Sequence, residues 1–252
     1  MLAPPPASIA VPPTGPTLHV VVRMTPGENR KSRPDWYSKQ RCVSSLFAAV
    51  RHARDAGLAV YVTVALDVSS GRPLPEPSRR LVETADDVLL IRGGSAATSW
   101  RPVLRALRRR PRPADDDLVY LVEDDHLHLP TALVQLVDGA DEYRLLYALA
   151  SEHGRIRDRG DGWADVPGGT SSFAVSGRAL REDRWRHLFF SCGGGPWDEL
   201  TWRALGSHAT PPGLSYVLHP FTAASQWEHP WDPRALRHAV FRALALLAAH
   251  SR

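Results

Sequence analysis

The chain has 252 residues, enough for one large α/β domain with a full core, and its 43% hydrophobic and 23% charged content is that of an ordinary globular protein rather than a fibrous or disordered one. A formal net charge of +4 and a pI near 9.4 permit anionic ligands without selecting one, and the basic residues are arginines except for Lys31 and Lys39. Two cysteines, Cys42 and Cys192, exclude a disulfide framework or a cysteine-based zinc site; with no secretory leader in Met1–Pro16 and no bilayer-length apolar run, a soluble cytoplasmic protein is expected.

Residues 1–16 are proline-rich and nearly uncharged, and they read as a disordered arm outside the fold. Leu18–Met24 is the first strand, stopped by Thr25-Pro26-Gly27. A basic loop with Arg30, Lys31 and Arg33 leads to a helix over Trp36–Ala56, which Gly57 closes as a C-cap. Ala59–Leu66 is a second strand with Asp67 at its tip. Strand, helix, strand in this order predicts a parallel pair. After a proline-rich loop come a short helix at Ser78–Ala85 and a third strand, Asp87–Arg92. Gly93-Gly94-Ser95 then opens a helix that runs to about Arg110. A glycine pair between strand and helix lets backbone amides approach an anion, though the third glycine of the dinucleotide fingerprint is missing. On that helix Arg101, Arg105, Arg108 and Arg109 keep helical spacing opposite Val103, Leu104 and Leu107. They form a solvated face, and with no aromatics interleaved they do not make a nucleic-acid patch.

Asp117–Pro130 reads DLVYLVEDDHLHLP, in which Leu118–Val122 has the length and branched, aromatic character of a central strand covered on both faces. The strand ends in Glu123, Asp124 and Asp125. In an open α/β sheet the carboxyl ends of the strands are where ligands bind, and clustered carboxylates call for solvation, basic partners or a divalent cation. His126 and His128 lack any metal-finger spacing and are read as supporting or structural. A helix at Pro130–Gly139 follows, then Tyr143–Ala150 as strand or short helix, a long polar loop at Glu152–Gly169, a strand at Thr170–Val175 and a helix from Ser176. The loop Ser191–Trp197 holds three glycines ahead of Asp198-Glu199, which start another helix. Leu214–Leu218 is a short apolar run ending in His219. Trp-rich Gln226–Trp231 suits an acceptor groove or a satellite core, and a basic helix closes the chain from Asp232.

A buried strand running into an acidic triplet and then a leucine-proline step resembles the metal-binding motif of nucleotide-sugar glycosyltransferases of the GT-A fold, family 2-like, over about Leu18–Trp231. The motif here is Glu123-Asp124-Asp125 in place of the commoner Asp-x-Asp. The resemblance implies a single GT-A-type, Rossmann-like α/β domain over residues 17–252, with a mostly parallel central sheet flanked by helices. Its nucleotide-binding half covers about 17–130, its acceptor half about 131–232, and a C-terminal helix 233–250. It implies a sugar transferred, with inversion, from a UDP-, GDP- or dTDP-sugar to a hydroxyl or amine on a small molecule, glycan or lipid-linked acceptor.

By the same resemblance Asp125, helped by Asp124 and completed by His219, holds Mn²⁺ or Mg²⁺, and Asp198 or Glu199 is the catalytic base. Asp67 either contacts the nucleotide base or ribose or caps a turn. Arg23, beside Thr25, either forks onto the diphosphate or lies on the surface. Gly94 and Ser95 lie beside the nucleotide. A nucleotidyltransferase and a noncatalytic nucleotide-sugar-binding module are the alternatives. The first would need a glycine-rich loop and a nearby basic residue after the first strand, where the sequence shows only Thr25-Pro26-Gly27. Nucleic acid and a transmembrane segment are not expected; peripheral membrane contact stays open.

Overall fold

The computed structural model describes residues 15–27, 37–94, 96–109, 112–146, 157–159, 163–166, 172–190, 205, 208–210 and 217–218. Asp198, Glu199, His219 and Ser95 lie outside them, as do the proline-rich arm up to Thr14, the Trp-rich stretch and the C-terminal helix.

Four strands, β1 (Leu18–Met24), β2 (Val60–Asp67), β3 (Asp87–Ile91) and β4 (Leu118–Glu123), run parallel in the order β3-β2-β1-β4. They are the longest strands described, and they make the α/β sheet mostly parallel. The helices between them are α1 (Lys39–Asp55), α2 (Glu76–Val82) and α3 (Ala96–Ala106). The sheet continues beyond β4 with shorter strands. A two-residue strand β5 (Leu127–His128) follows β4, and then come α4 (Ala132–Asp138) and β6 (Tyr143–Arg144). The polar stretch expected to be one long loop carries β7 (Arg157–Asp158) paired antiparallel with β8 (Ala164–Val166). β9 (Phe173–Ser176) runs antiparallel to β4, and α5 (Gly177–Glu182) and α6 (Arg184–Phe190) follow it. Last come β10 (His208–Thr210) and β11 (Val217–Leu218).

Alternation along β1 divides the core in two. Leu18, Val20, Val22 and Met24 pack beneath α1, α2 and α4. Val21 faces the other way and joins Trp100, Val103 and Leu104 of α3 with Phe173 and Val175 of β9. Both faces of the sheet are therefore covered by helices, which explains why β1 and β4 are buried along their whole length and read as continuous apolar runs. Local signals set the ends of α1: Ser38 accepts from the Arg41 amide as N-cap, and Gly57 follows the helix with φ +87°, a conformation that costs glycine little. The predicted start at Trp36 is corrected to Lys39 by that cap.

No helix among the described residues is long and apolar enough to cross a membrane. At the amino edge of the parallel strands, Gly177 lies where a Cβ atom would come within 1.8 Å of the Ala114 carbonyl oxygen, and its amide donates to the Asp117 carbonyl at 2.8 Å. Gly177→Ala must therefore separate β9 from the chain entering β4. It is expected to cost about 1–3 kcal/mol, read as a lowered urea midpoint at unchanged slope.

Candidate functional site

The strand order reverses between β1 and β4: from β1 the chain moves outward through β2 and β3, then returns to place β4 on the other side. In open α/β sheets such a switch point leaves a crevice beyond the carboxyl ends of the two central strands. Arg23, Met24 and Thr25 end β1 there, and Glu123, Asp124 and Asp125 end β4. The register sets Arg23 opposite Glu123.

The three acids have three different partners. Arg23 donates through Nη2 to Glu123 Oε1 at 2.5 Å and through Nη1 to Ser99 Oγ at 3.2 Å, with its guanidinium 5.8 Å from the centre of the Trp100 ring. At 8% exposure, Arg23 is not a surface arginine. Burial works against its charge, but Glu123 first, then Asp124 and Asp125, outweigh it and raise its pKa further. For Glu123 burial dominates and pushes the carboxyl up, against the pull of Arg23. Asp124 Oδ2 accepts from the Thr25 amide at 2.8 Å and meets Lys39 Nζ at 3.0 Å; the same ammonium also donates to the Thr25 hydroxyl and carbonyl. Asp125 is 5% exposed, and its Oδ1 lies 3.2 Å from His126 Nδ1. Ser172 Oγ stands 3.4 Å from the same ring nitrogen and accepts the Glu123 amide at 3.2 Å.

Asp67 ends β2 one strand away. Its carboxylate accepts from the Ser69 amide and hydroxyl and from the amides of Gly93 and Gly94, at 3.2 and 3.1 Å. Burial favours its neutral form, but the bonds from Ser69, Gly94 and Gly93 hold the carboxyl below the usual range. The aspartate thus pins the glycine turn, where Gly94 has φ +74° and a Cβ on Gly93 would fall 2.3 Å from Ser99. Ser99 in turn meets Arg23, and Thr98 Oγ1 donates to the Gly93 carbonyl, so α3 touches both the glycine turn and the acidic cluster.

His128 and His126 are each 1% exposed. Nδ1 of His128 bonds to the His126 carbonyl at 3.2 Å, which makes that nitrogen the donor and leaves Nε2 to accept from Tyr120 Oη at 3.0 Å. The His128 amide donates to Ser45 of α1 at 2.9 Å. These contacts anchor the segment behind the acidic triplet. Antiparallel pairing then brings β11 beside it, with Leu218 opposite Leu127 and Val217 opposite His128.

The structure therefore brings Arg23, Thr25, Asp124 and Asp125 together at the switch point and sets Asp67 and Gly94 at the neighbouring strand tips. Among the described residues no group of three or more His, Cys, Asp or Glu side chains forms a metal-binding set. Asp125 is a buried hard-oxygen donor just past the end of β4, and His219, the other expected ligand, lies outside the described residues. Lys39 was missed in the sequence. It is one of two lysines in an arginine-rich chain, and that exception was the available signal. Ser99, Trp100 and Ser172 gave none, because their roles depend on contacts between distant segments.

Another buried histidine, His187, lies outside this site. Tyr143 donates its hydroxyl hydrogen to Asp183 at 2.8 Å, so His187 Nε2, 3.0 Å from the same oxygen, is the donor in that contact, and the ring stacks on Phe173. Burial lowers the His187 pKa from 6.5 to about 4. The unfolded chain therefore takes up a proton that the folded one refuses. The stability His187 contributes is present above pH 6.5 and is lost as pH falls toward 4. By pH 5 the loss is expected to reach roughly 2 kcal/mol. Urea midpoints measured at pH 7 and pH 5 should converge in His187→Gln relative to the parent; equal differences in both proteins would refute the assignment.

No protein-family model matches the sequence, and no curated protein matches it. Among solved structures, the crystal structure of 4-diphosphocytidyl-2C-methyl-D-erythritol synthase is similar at 14% identity and a TM-score of 0.46, covering 90% of this chain and 98% of that one. A protein from Aquifex aeolicus VF5 is similar at 8% identity and a TM-score of 0.32, covering 79% of this chain and 88% of that one. At these scores neither speaks to activity.

Proposed function

We propose that the chain is a metal-dependent transferase acting on a nucleotide carrying a phosphate anhydride, and that it moves the sugar of a nucleoside diphosphate sugar to a hydroxyl or amine acceptor. The observation that carries this reading is the pairing of Leu218 with Leu127, two positions after Asp125, in a two-stranded sheet of its own. Two segments some ninety residues apart in the sequence, each expected to supply one metal donor, meet beside the acidic triplet. Asp125 and His219 would hold Mn²⁺ or Mg²⁺, which when bound supplies positive charge to the departing diphosphate.

The chain's own residues do the rest. Arg23 neutralises Glu123 and fixes the end of β4, and the Thr25 amide and Lys39 hold Asp124 in place. Asp67 shapes the Gly93-Gly94 turn against which the nucleotide lies. Asp198 or Glu199 takes the proton from the attacking acceptor, on the side away from the diphosphate, so the anomeric centre inverts.

A nucleotidyltransferase is the second reading, and Lys39 favours it: the first residue of α1 brings a basic group back to Thr25 just past the end of β1. One assay separates them. The protein with Mn²⁺ is incubated with UDP-, GDP- and dTDP-sugars, and separately with nucleoside triphosphates plus sugar phosphates. Sugar transfer or slow donor hydrolysis releases a nucleoside diphosphate; nucleotidyl transfer releases pyrophosphate. Pyrophosphate without nucleoside diphosphate would replace the first reading by the second. Stabilisation by a nucleotide sugar with no product from either panel would leave a binding module.

A further inference from the structure

A cavity of about 250 Å³ lies at the opposite edge of the sheet from the acidic triplet, between the end of α3, the chain entering β4, and α5 with α6. Leu104, Leu107, Pro113 and Leu180 give it an apolar lining, while Arg108, Arg112, Arg181 and Arg184 stand around it. Asp115 pairs with Arg181, Nη2 to Oδ2 at 2.8 Å. Among the described residues no carboxylate forms an ion pair with Arg108, Arg112 or Arg184. Arg184 packs its guanidinium over the exposed Trp185 ring at 4.9 Å, and its buried Nε has no hydrogen-bond partner among the described residues. Clustered guanidinium groups repel one another, and a buried N–H without an acceptor is costly; one bound anion relieves both.

We propose that this cavity is a second binding site, for a small amphipathic anion with a phosphate or carboxylate head on the arginines and a short apolar group on the leucines. Its volume suits the head and short apolar group of a small organic anion. The site involves none of the strand-tip residues and stands whether or not they transfer sugar.

The test is isothermal titration calorimetry on the full chain with n-hexyl phosphate, heptanoate, inorganic phosphate and hexanol. One of the two amphipathic anions is expected to bind at least about tenfold more tightly than inorganic phosphate or hexanol, and more weakly as salt rises. The tighter of the two identifies the head group. Arg108→Gln/Arg112→Gln, both exposed positions whose change leaves the core intact, should weaken that binding about tenfold, and Asp125→Asn should leave it unchanged. Binding of inorganic phosphate as tight as that of both amphiphiles, full affinity in the arginine variant, dependence on Asp125, or no binding at all would each overturn the site.

Discussion

Asp125→Asn is expected to lower turnover at least about a hundredfold while leaving the protein as stable as the parent or more so. The loss corresponds to about 3 kcal/mol of transition-state stabilisation, in the range a metal ligand supplies. The stability half follows from charge. Asp125 follows Glu123 and Asp124 in a cluster where all three are 8% exposed or less, and its charge is one of the effects that raise the Glu123 pKa. Removing one like charge relaxes the cluster. A residue retained at a cost in stability is one that function uses. Measuring product release beside the thermal midpoint separates the two effects. Undiminished turnover would remove Asp125 from the site, and parallel loss of fold and activity would make it structural.

Arg23→Met is expected to cost about 3–5 kcal/mol. The methionine fills much of the volume beside Trp100 but leaves Glu123 buried without its ion partner and removes the Arg23 donation to Ser99. Breaking a buried pair from one side is far more damaging than replacing both members, because the stranded charge keeps its whole desolvation penalty. Arg23→Met/Glu123→Leu should therefore recover most of the loss. Urea unfolding of the parent, the single variant and the double variant decides this. If the double variant is no more stable than the single one, packing of Arg23 on Trp100 is the main contribution and the ion pair is secondary.

Most elements of the parallel half were legible because their signals are local. Apolar runs of strand length marked β1, β2 and β4, and a serine cap with a glycine stop bounded α1. The weaker elements were not legible. β7 and β8 lie in a polar stretch with no alternation to read, and β5 is two residues, too short for any periodicity; β11 was legible only as the end of the apolar run Leu214–Leu218. They exist as strands only because a partner lies alongside.

The site divides in the same way. An acidic triplet at the end of a buried strand announces itself in the sequence, as does an aspartate at the tip of β2. What each carboxylate touches does not: Arg23 and Glu123 are 100 residues apart, Thr25 and Asp124 99, and Asp67 and Gly94 27. The amino-acid order by itself determined the longer parallel strands, the ends of α1 and the acidic end of β4, since each depends on neighbours within a few residues. Only the tertiary structure decided which acid is neutralised by Arg23, which is held by Lys39 and which stands against the His126 ring. Those choices follow from the strand order and ladder register, where hydrogen bonds between distant segments bring together side chains that have no local reason to meet.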